Sequence, residues 1–364
     1  MRNTDYNILQ GDALHVLEKI SQSSKEKNKY RLIVTSPPYY KHRNYGEKNG
    51  ELGQEKTVEE YLNNLVDVFT QCKKLLTEDG SLFIVIGDKR QNHSKLMIPH
   101  RLAIKLTEIG YTFQEDIIWY KKNAISTSSK ISLTSSYELI LFLSKGKKPY
   151  LNMDPIRVQG NEVTSGSKET PPLQKIQFKS MGKNIRAIEK IKNIIHNSLP
   201  ETSFDDLPTT NEISWAYGYD PEKQCPTCYR KFKRHATRKR IGGHTHYPIF
   251  APCNPKGKNP GNVWEISTKA HHGNEHFAMF PEDLIAKIVK FTTEEGDYIL
   301  DPFVGRGTSG IVSACLKRKF TGIDLYYENI VKTKRNVQNA IDSKLPQKIL
   351  NQIITTKSNL KEFF

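Results

Sequence analysis

Apolar positions along the chain alternate between two spacings, and each spacing predicts an element. Short β-branched runs read as buried strands, whereas apolar residues recurring every three or four positions read as helices. Tyr6 to Leu9 is a short strand, and Leu14, Leu17 and Ile20 then recur at helical spacing. Arg31-Leu-Ile-Val34 is a second strand. Thr57-Val-Glu-Glu60 is a capping box, and Val58, Tyr61, Leu62, Leu65, Phe69, Cys72 and Leu76 share one helical face, ended by Asp79-Gly80. Ser81 to Ile86 is a strand, Pro99 to Ile109 a helix with Pro at its start, and Phe113–Tyr120 and Tyr137–Leu143 two more strands. Beyond Lys145 the pattern dissolves into Pro, Gly, Lys and Ser, with one clear helix around Ile185 to Ile195. Regularity returns at Val263-Trp-Glu-Ile266. A helix starting at Pro281, a strand over Tyr298–Asp301, a helix over Ile311–Lys319, a strand over Phe320–Ile323 and a helix over Tyr327–Ile341 follow. Strands alternating with helices predict an α/β fold around a parallel sheet.

Composition narrows the partners. Of 364 residues, 55 are Lys or Arg and 39 Asp or Glu, a formal charge of +16. Such an excess attracts polyanions, and nucleic acid is the expected one. No apolar run reaches the length of a membrane span, and no secretory leader pattern opens the chain, so no membrane association is expected. Five cysteines form no disulfide framework, which points to a reducing, cytoplasmic setting.

Two short motifs carry chemistry. Thr35-Ser36-Pro37-Pro38-Tyr39-Tyr40 ends the second strand, where prolines cannot continue a ladder and the chain must turn. Alone, it is an ordinary Pro-Pro turn or a ligand-binding strand end. Asp301-Pro302-Phe303-Val304-Gly305-Arg306-Gly307-Thr308-Ser309-Gly310 also matches the dinucleotide fingerprint, with Asp324 placed 19 residues after Gly305 as a ribose-binding acid would be. Against a nicotinamide enzyme, no strand–helix–strand continuation follows Asp324. The missing strands instead stand at the amino terminus.

Together the motifs resemble the amino-group DNA methyltransferases, in which a [S/D/N]-P-P-[Y/F] element is catalytic and a D-P-F-x-G-x-G-T element binds S-adenosyl-L-methionine. Here the catalytic element precedes the cofactor element by some 265 residues, an order that is similar to the circularly permuted β class. The resemblance implies a Rossmann-like methyltransferase sheet, circularly permuted, with an inserted target-recognition region. Residues 1–144 would form the catalytic half, 145–262 the insert, 263–344 the cofactor-binding half and 345–364 a tail of unassigned role. It implies cofactor contacts from Asp12, within Gly11-Asp-Ala-Leu14, and from Phe277 and Pro281 beside the methionine part. The same roles fall to Asp301, Pro302, Phe303, Gly305, Gly307, Thr308 and Ser309, and Asp324 would hold the ribose hydroxyls. Asp12 equally suits a helix N-cap, and Asp88 either the target pocket or a cap of the following loop.

The implied reaction takes a target base out of duplex DNA. Ser36 and the Pro37 carbonyl would accept hydrogen bonds from its exocyclic amino group, with Pro38 stiffening the turn and Tyr39 stacking on the base. Ser in the first position resembles the N4-cytosine enzymes of restriction–modification systems, with N6-adenine the alternative. A catalytically inactive DNA-binding protein or an RNA methyltransferase of this fold are more distant ones. Carbon-5 methylation needs a cysteine nucleophile, and Pro252-Cys253, in the insert, is wrongly placed. Double-stranded DNA is the expected partner, with a cognate restriction endonuclease as a second. His42, Arg43 and Tyr45 follow the catalytic turn as a base- or phosphate-contacting loop, or simply a solvated one. Over 222–258, ten Lys/Arg stand against one Glu, interleaved with aromatic residues. Arg230, Lys231, Lys233, Arg234, Arg238, Lys239 and Arg240 are therefore candidate DNA contacts. Cys225-Pro-Thr-Cys228 has the spacing of a zinc half-site, with Cys253 and one of His235, His244 and His246 (His244 the candidate) to complete it, or it is a pair of incidental thiols.

Overall fold

Leu32 and Val34 pack on one side of a sheet and Ile33 on the other, and every one of them is fully buried. The alternation repeats along the next strand, where Leu82, Ile84 and Ile86 oppose Phe83 and Val85. Strands covered on both faces read as continuous apolar runs, which is why they stand out in the sequence. A computed structural model describes residues 5–42, 51–124, 133–158, 239–241, 244–246, 259–267 and 280–354.

The strands are β1 (Tyr6–Gln10), β2 (Tyr30–Thr35), β3 (Leu76–Ile86), the two-residue β4 (Arg90–Gln91) and β5 (Ser94–Lys95), β6 (Thr112–Tyr120), β7 (Tyr137–Ser144), β8 (Lys239–Ile241), β9 (His244–His246), β10 (Val263–Glu265), β11 (Tyr298–Asp301) and β12 (Lys319–Asp324). The helices are α1 (Ala13–Gln22), α2 (Val58–Leu75), α3 (Ile98–Glu108), α4 (Glu282–Thr292), α5 (Thr308–Cys315), α6 (Tyr327–Ile341) and α7 (Gln347–Ile354).

The chain divides into two compact units. The first, residues 1–158 and 259–364, holds an eight-stranded sheet in the order β1-β12-β11-β2-β3-β7-β6-β10. All neighbours run parallel except β7, which is antiparallel to both β3 and β6. Helices α1, α2 and α3 cover one face, and α4, α5 and α7 help cover the other. Chain order reverses between β11 and β2: from β11 the chain steps outward to β12, and from β2 it steps the other way to β3. Their carboxyl ends therefore open a crevice at a topological switch point. A hydrogen bond from Tyr30 Oη to Thr321 Oγ1 (3.1 Å) ties the amino-terminal strands to the carboxyl-terminal ones.

Several boundaries differ from those read in the sequence. Helix α2 stops at Leu75, and β3 begins at Leu76 with a register shift between its pairings at Tyr30 and Leu32. The strand around Trp264 is an edge strand, paired parallel to β6. Residues up to Val158 belong with the first unit: Ile156 is buried in its core, and Asn152 N–H donates to Phe291 O at 2.7 Å. The second unit is Gln159–Lys258, in which β8 and β9 form an antiparallel hairpin. The helix expected around Ile185 to Ile195 lies outside the described residues.

Candidate active site

Strand β2 ends in Thr35, a buried residue whose hydroxyl donates to Asp301 Oδ1 at 2.6 Å. That one bond joins the ends of the two strands flanking the switch point. Asp301 is fully buried. Its Oδ1 also accepts Phe303 N–H at 3.0 Å, and its Oδ2 accepts the Ser309 hydroxyl at 2.5 Å. Burial raises its carboxyl to about 6 against the lowering effect of those hydrogen bonds. Asp301 and Ser309 stand behind the crevice wall and shape the turn that follows β11.

That turn is the glycine loop. Gly305 and Gly307 have φ of +52° and +88°, and a Cβ on Gly307 would stand 2.7 Å from Thr333 Cγ2. The Thr333 hydroxyl donates to Gly305 O (2.8 Å) and Asn336 Nδ2 to Arg306 O (3.0 Å), so α6 straps the loop down. The loop's backbone donors are turned inward. Phe303 N–H goes to Asp301, Val304 N–H to Ile323 O, Gly305 N–H to Asp324 Oδ2 and Gly307 N–H to Val304 O. Gly310 lies inside α5, where a Cβ would meet Val337 and Phe320, so it serves helix packing.

A cavity of about 380 Å³ opens over these strand ends. Ser36, Pro37, Pro38 and Tyr39 line one side of it, and Pro302, Phe303, Gly305 and Thr308 another. Asp12 and Asp324 also reach it, as do Glu51, Glu328, Arg306 and Lys332. Four carboxylates against two fixed cations make the lining acidic, within a chain of charge +16. Asp12 serves as N-cap of α1, accepting His15 N–H at 3.0 Å. Asp324 accepts Gly305 N–H (3.0 Å), Tyr326 N–H (2.8 Å) and Asn329 Nδ2 (3.0 Å). At the rim, Tyr326 Oη donates to Glu51 Oε2 at 2.8 Å, linking the carboxyl-terminal half to the loop after β2.

The Pro-Pro turn is held from beneath. Tyr61 Oη donates to Pro38 O at 2.8 Å. The Tyr39 ring lies against Gly87, where a Cβ would be 2.8 Å from Cε2. Its hydroxyl donates to Glu138 Oε2 at 3.0 Å, and Ser36 Oγ lies 3.5 Å from it. Glu138 in turn pairs with Lys121. Burial first, and then the Glu138 charge, push the Tyr39 phenol well above its usual range.

The residues read from sequence thus divide. Fifteen of them, from Asp12 through Ser36–Tyr39 and His42 to Asp324, are described in the first unit, and eleven of these line one cavity. Gly307 and Pro281 cap α5 and α4 rather than lining it. Phe280, unremarked in the sequence, lines it next to the expected Pro281. Asp88 caps α3, accepting Met97 and Ile98 N–H groups at 3.2 and 3.1 Å. Phe277, Arg43, Tyr45, Arg230, Lys231, Lys233, Arg234, Arg238, Cys225, Cys228 and Cys253 lie outside the described residues. Lys239, Arg240 and His244 are placed only as backbone of β8 and β9. Among the described residues, no group of three or more His, Cys, Asp or Glu could hold a metal ion. No helix among them is long and apolar enough to cross a membrane.

The family model described as "DNA methylase", of the N6/N4 class, matches residues 30–335. The chain belongs to the N6/N4 DNA methylase family. The methylase is 27% identical over 352 residues to the type II methyltransferase M.Cfr9I of Citrobacter freundii, covering 89% of this chain and 84% of that protein. It is 26% identical over 386 residues to M.SfiI of Streptomyces fimbriatus, covering 88% of each. Its fold matches that of the PvuII DNA methyltransferase (cytosine-N4-specific) with a TM-score of 0.53 and 16% identity, over 97% of this chain and 95% of that one.

Proposed function

We propose that this DNA methylase transfers a methyl group from S-adenosyl-L-methionine to the N4 amino group of a cytosine flipped out of duplex DNA. We place it as the modification enzyme of a type II restriction–modification system, a reading supported by its similarity to M.Cfr9I and M.SfiI, both named type II methyltransferases. One observation carries the reading: the Ser36–Tyr39 turn and the Gly305–Thr308 loop, 266 positions apart at their Thr35–Asp301 tie, share one cavity at the switch point.

The cavity's chemistry favours a cationic cofactor over a dinucleotide. A pyrophosphate needs unpaired backbone N–H groups and tolerates no cluster of carboxylates. Here the loop's N–H groups at 303, 304, 305 and 307 are already bonded, and the lining is acidic. S-adenosylmethionine carries a sulfonium and an ammonium, which an acidic pocket attracts. Asp324 and Asp12 would hold its ribose and adenine ends, and Phe280 and Phe303 its apolar flank. When bound there, it supplies an electrophilic methyl group on sulfur.

The chain's own residues prepare the acceptor. An exocyclic amino group is a poor nucleophile while its lone pair is delocalised into the ring. Ser36 Oγ and the Pro37 carbonyl accept its two N–H groups and favour the pyramidal form. Two successive prolines fix the carbonyl's direction, so the acceptor needs no reorganisation, and the Pro38 carbonyl is engaged by Tyr61. Positioning then supplies much of the acceleration. His42, at the cavity rim, and the basic residues of 222–258 are assigned to DNA.

The test is incubation of the purified protein with unmethylated DNA and S-adenosylmethionine, followed by mass analysis of the digested nucleosides. N4-methylcytosine is expected. N6-methyladenine would overturn the base assignment while keeping the site. Ser36→Ala is expected to lower methylation by about a hundredfold or more while DNA affinity stays within about twofold; retained methylation would remove Ser36 from the mechanism.

A further inference from the structure

We infer that Glu138 sets the direction of the Ser36 hydroxyl through Tyr39, turning its lone pairs toward the amino group to be methylated. The inference rests on the reading of Ser36 as an acceptor. It makes Glu138 a positioning residue that touches no substrate.

The geometry is a chain of three groups. Glu138 stands at the start of β7, with a side chain 20% exposed. Its Oε1 pairs with the Lys121 ammonium just beyond β6, and its Oε2 faces Tyr39 Oη at 3.0 Å. A carboxylate held against an ammonium accepts hydrogen bonds and donates none. Tyr39 must therefore spend its one proton on Glu138. Its oxygen is left with lone pairs toward Ser36 Oγ, 3.5 Å away. The Ser36 proton points at Tyr39, and the serine's own lone pairs are left for the cavity. A serine without this neighbour rotates freely and presents a proton as readily as a lone pair, and a presented proton would oppose an N–H donor.

The ring is closely seated on one side: Gly87 lies against its edge, where a Cβ would stand 2.8 Å from Cε2. Burial beside Glu138 also keeps the phenol un-ionised, so it stays a donor. The β6–β7 hairpin is thereby joined to catalysis by a residue that neither motif contains.

The inference has an unusual signature. Glu138→Ala removes the acceptor and frees Tyr39 and Ser36 to rotate. Glu138→Gln does worse. Lys121 needs an acceptor, so the amide oxygen turns to it and the NH2 turns to Tyr39. Tyr39 would then donate to Ser36, and Ser36 would present its proton to the amine. Single-turnover methyl transfer by the full-length enzyme, at saturating DNA and S-adenosylmethionine, should fall in E138A and fall about a further tenfold in E138Q. In a Y39F background the two variants should agree within about twofold, because no hydroxyl remains to carry the reversal. DNA and cofactor affinities, and thermal midpoints, should not distinguish E138Q from E138A. E138A as slow as E138Q, or the same ordering surviving in Y39F, would overturn the inference. Methylation surviving in S36A would instead overturn the reading of Ser36 beneath it, so the two failures are told apart.

Discussion

At the scale of single residues, the site separates groups that face the cavity from groups that hold its walls. Asp12 does both: it lines the cavity and caps α1. Serine caps as well as aspartate but carries no charge. Asp12→Ser should therefore leave unfolding free energy within about 0.5 kcal/mol and weaken S-adenosylmethionine binding by about tenfold, measured by denaturant titration and calorimetry. Asp301 holds a wall. Its folded carboxyl is raised to about 6 from 3.8. Between those values the native state holds a proton that the unfolded chain has lost. Its contribution to stability is thus fully present below about pH 4 and is lost as pH rises through 6, amounting to about 3 kcal/mol. Asp301→Asn removes that ionisation. Relative to the wild type, its stability should rise from pH 5 to pH 7, as read from urea midpoints in paired buffers; a constant difference would contradict the raised carboxyl.

At the scale of elements, the glycine loop is built by its attachment to α6 as much as by its own sequence. Gly307 caps α5 in a left-handed conformation and sits against Thr333. Gly307→Ala meets both the conformational cost and the clash, so it should destabilise the fold by about 2 kcal/mol or more and lower cofactor affinity, checked by thermal melts with and without S-adenosylmethionine. Element type was legible in the sequence wherever a strand is buried on both faces or a helix carries a cap. The capping box at Thr57 and Glu60 forms as read, with both reciprocal hydrogen bonds. Relations between elements were not legible. Gly310 looks like part of a nucleotide fingerprint, yet packs a helix against Phe320 and Val337. Glu138 looks like one polar position in a strand, and its partner Tyr39 lies 99 positions away. Local spacing carries no information about such a pairing. The same holds for Asp301, whose three donors come from β2, from its own loop and from α5.

At the scale of the whole molecule, the cofactor-side strands β11 and β12 sit inside a sheet whose other members come mostly from the amino-terminal half. Residues 159–258 form a unit of their own. Proteolytic nicking within that unit should therefore give two fragments that co-elute in size-exclusion chromatography and still bind S-adenosylmethionine, because strand pairing between β2 and β11 joins them. Fragments that separate without denaturant would contradict a shared sheet. The permuted order of the halves was legible, because the two motifs stand in the order of the permuted class and joining the carboxyl-terminal piece to the amino-terminal one gives a coherent sheet. A target sequence was not legible, since basic and aromatic residues point to affinity for nucleic acid and not to a base sequence.

The pairing of β2 with β11 also sets a clock on synthesis. Thr35 and Asp301 are 266 positions apart, a stretch that takes a ribosome roughly 15–50 s at about 5–20 residues per second. Throughout that interval the Ser36–Tyr39 segment has been made, but the strand beside it has not, and neither has the Gly305–Thr308 side of the cavity. On the proposed mechanism the nascent chain is therefore expected to transfer no methyl group until β12 has emerged. A message cut short anywhere in the second unit would yield a protein carrying Ser36-Pro-Pro-Tyr39 in full and unable to mark a single base.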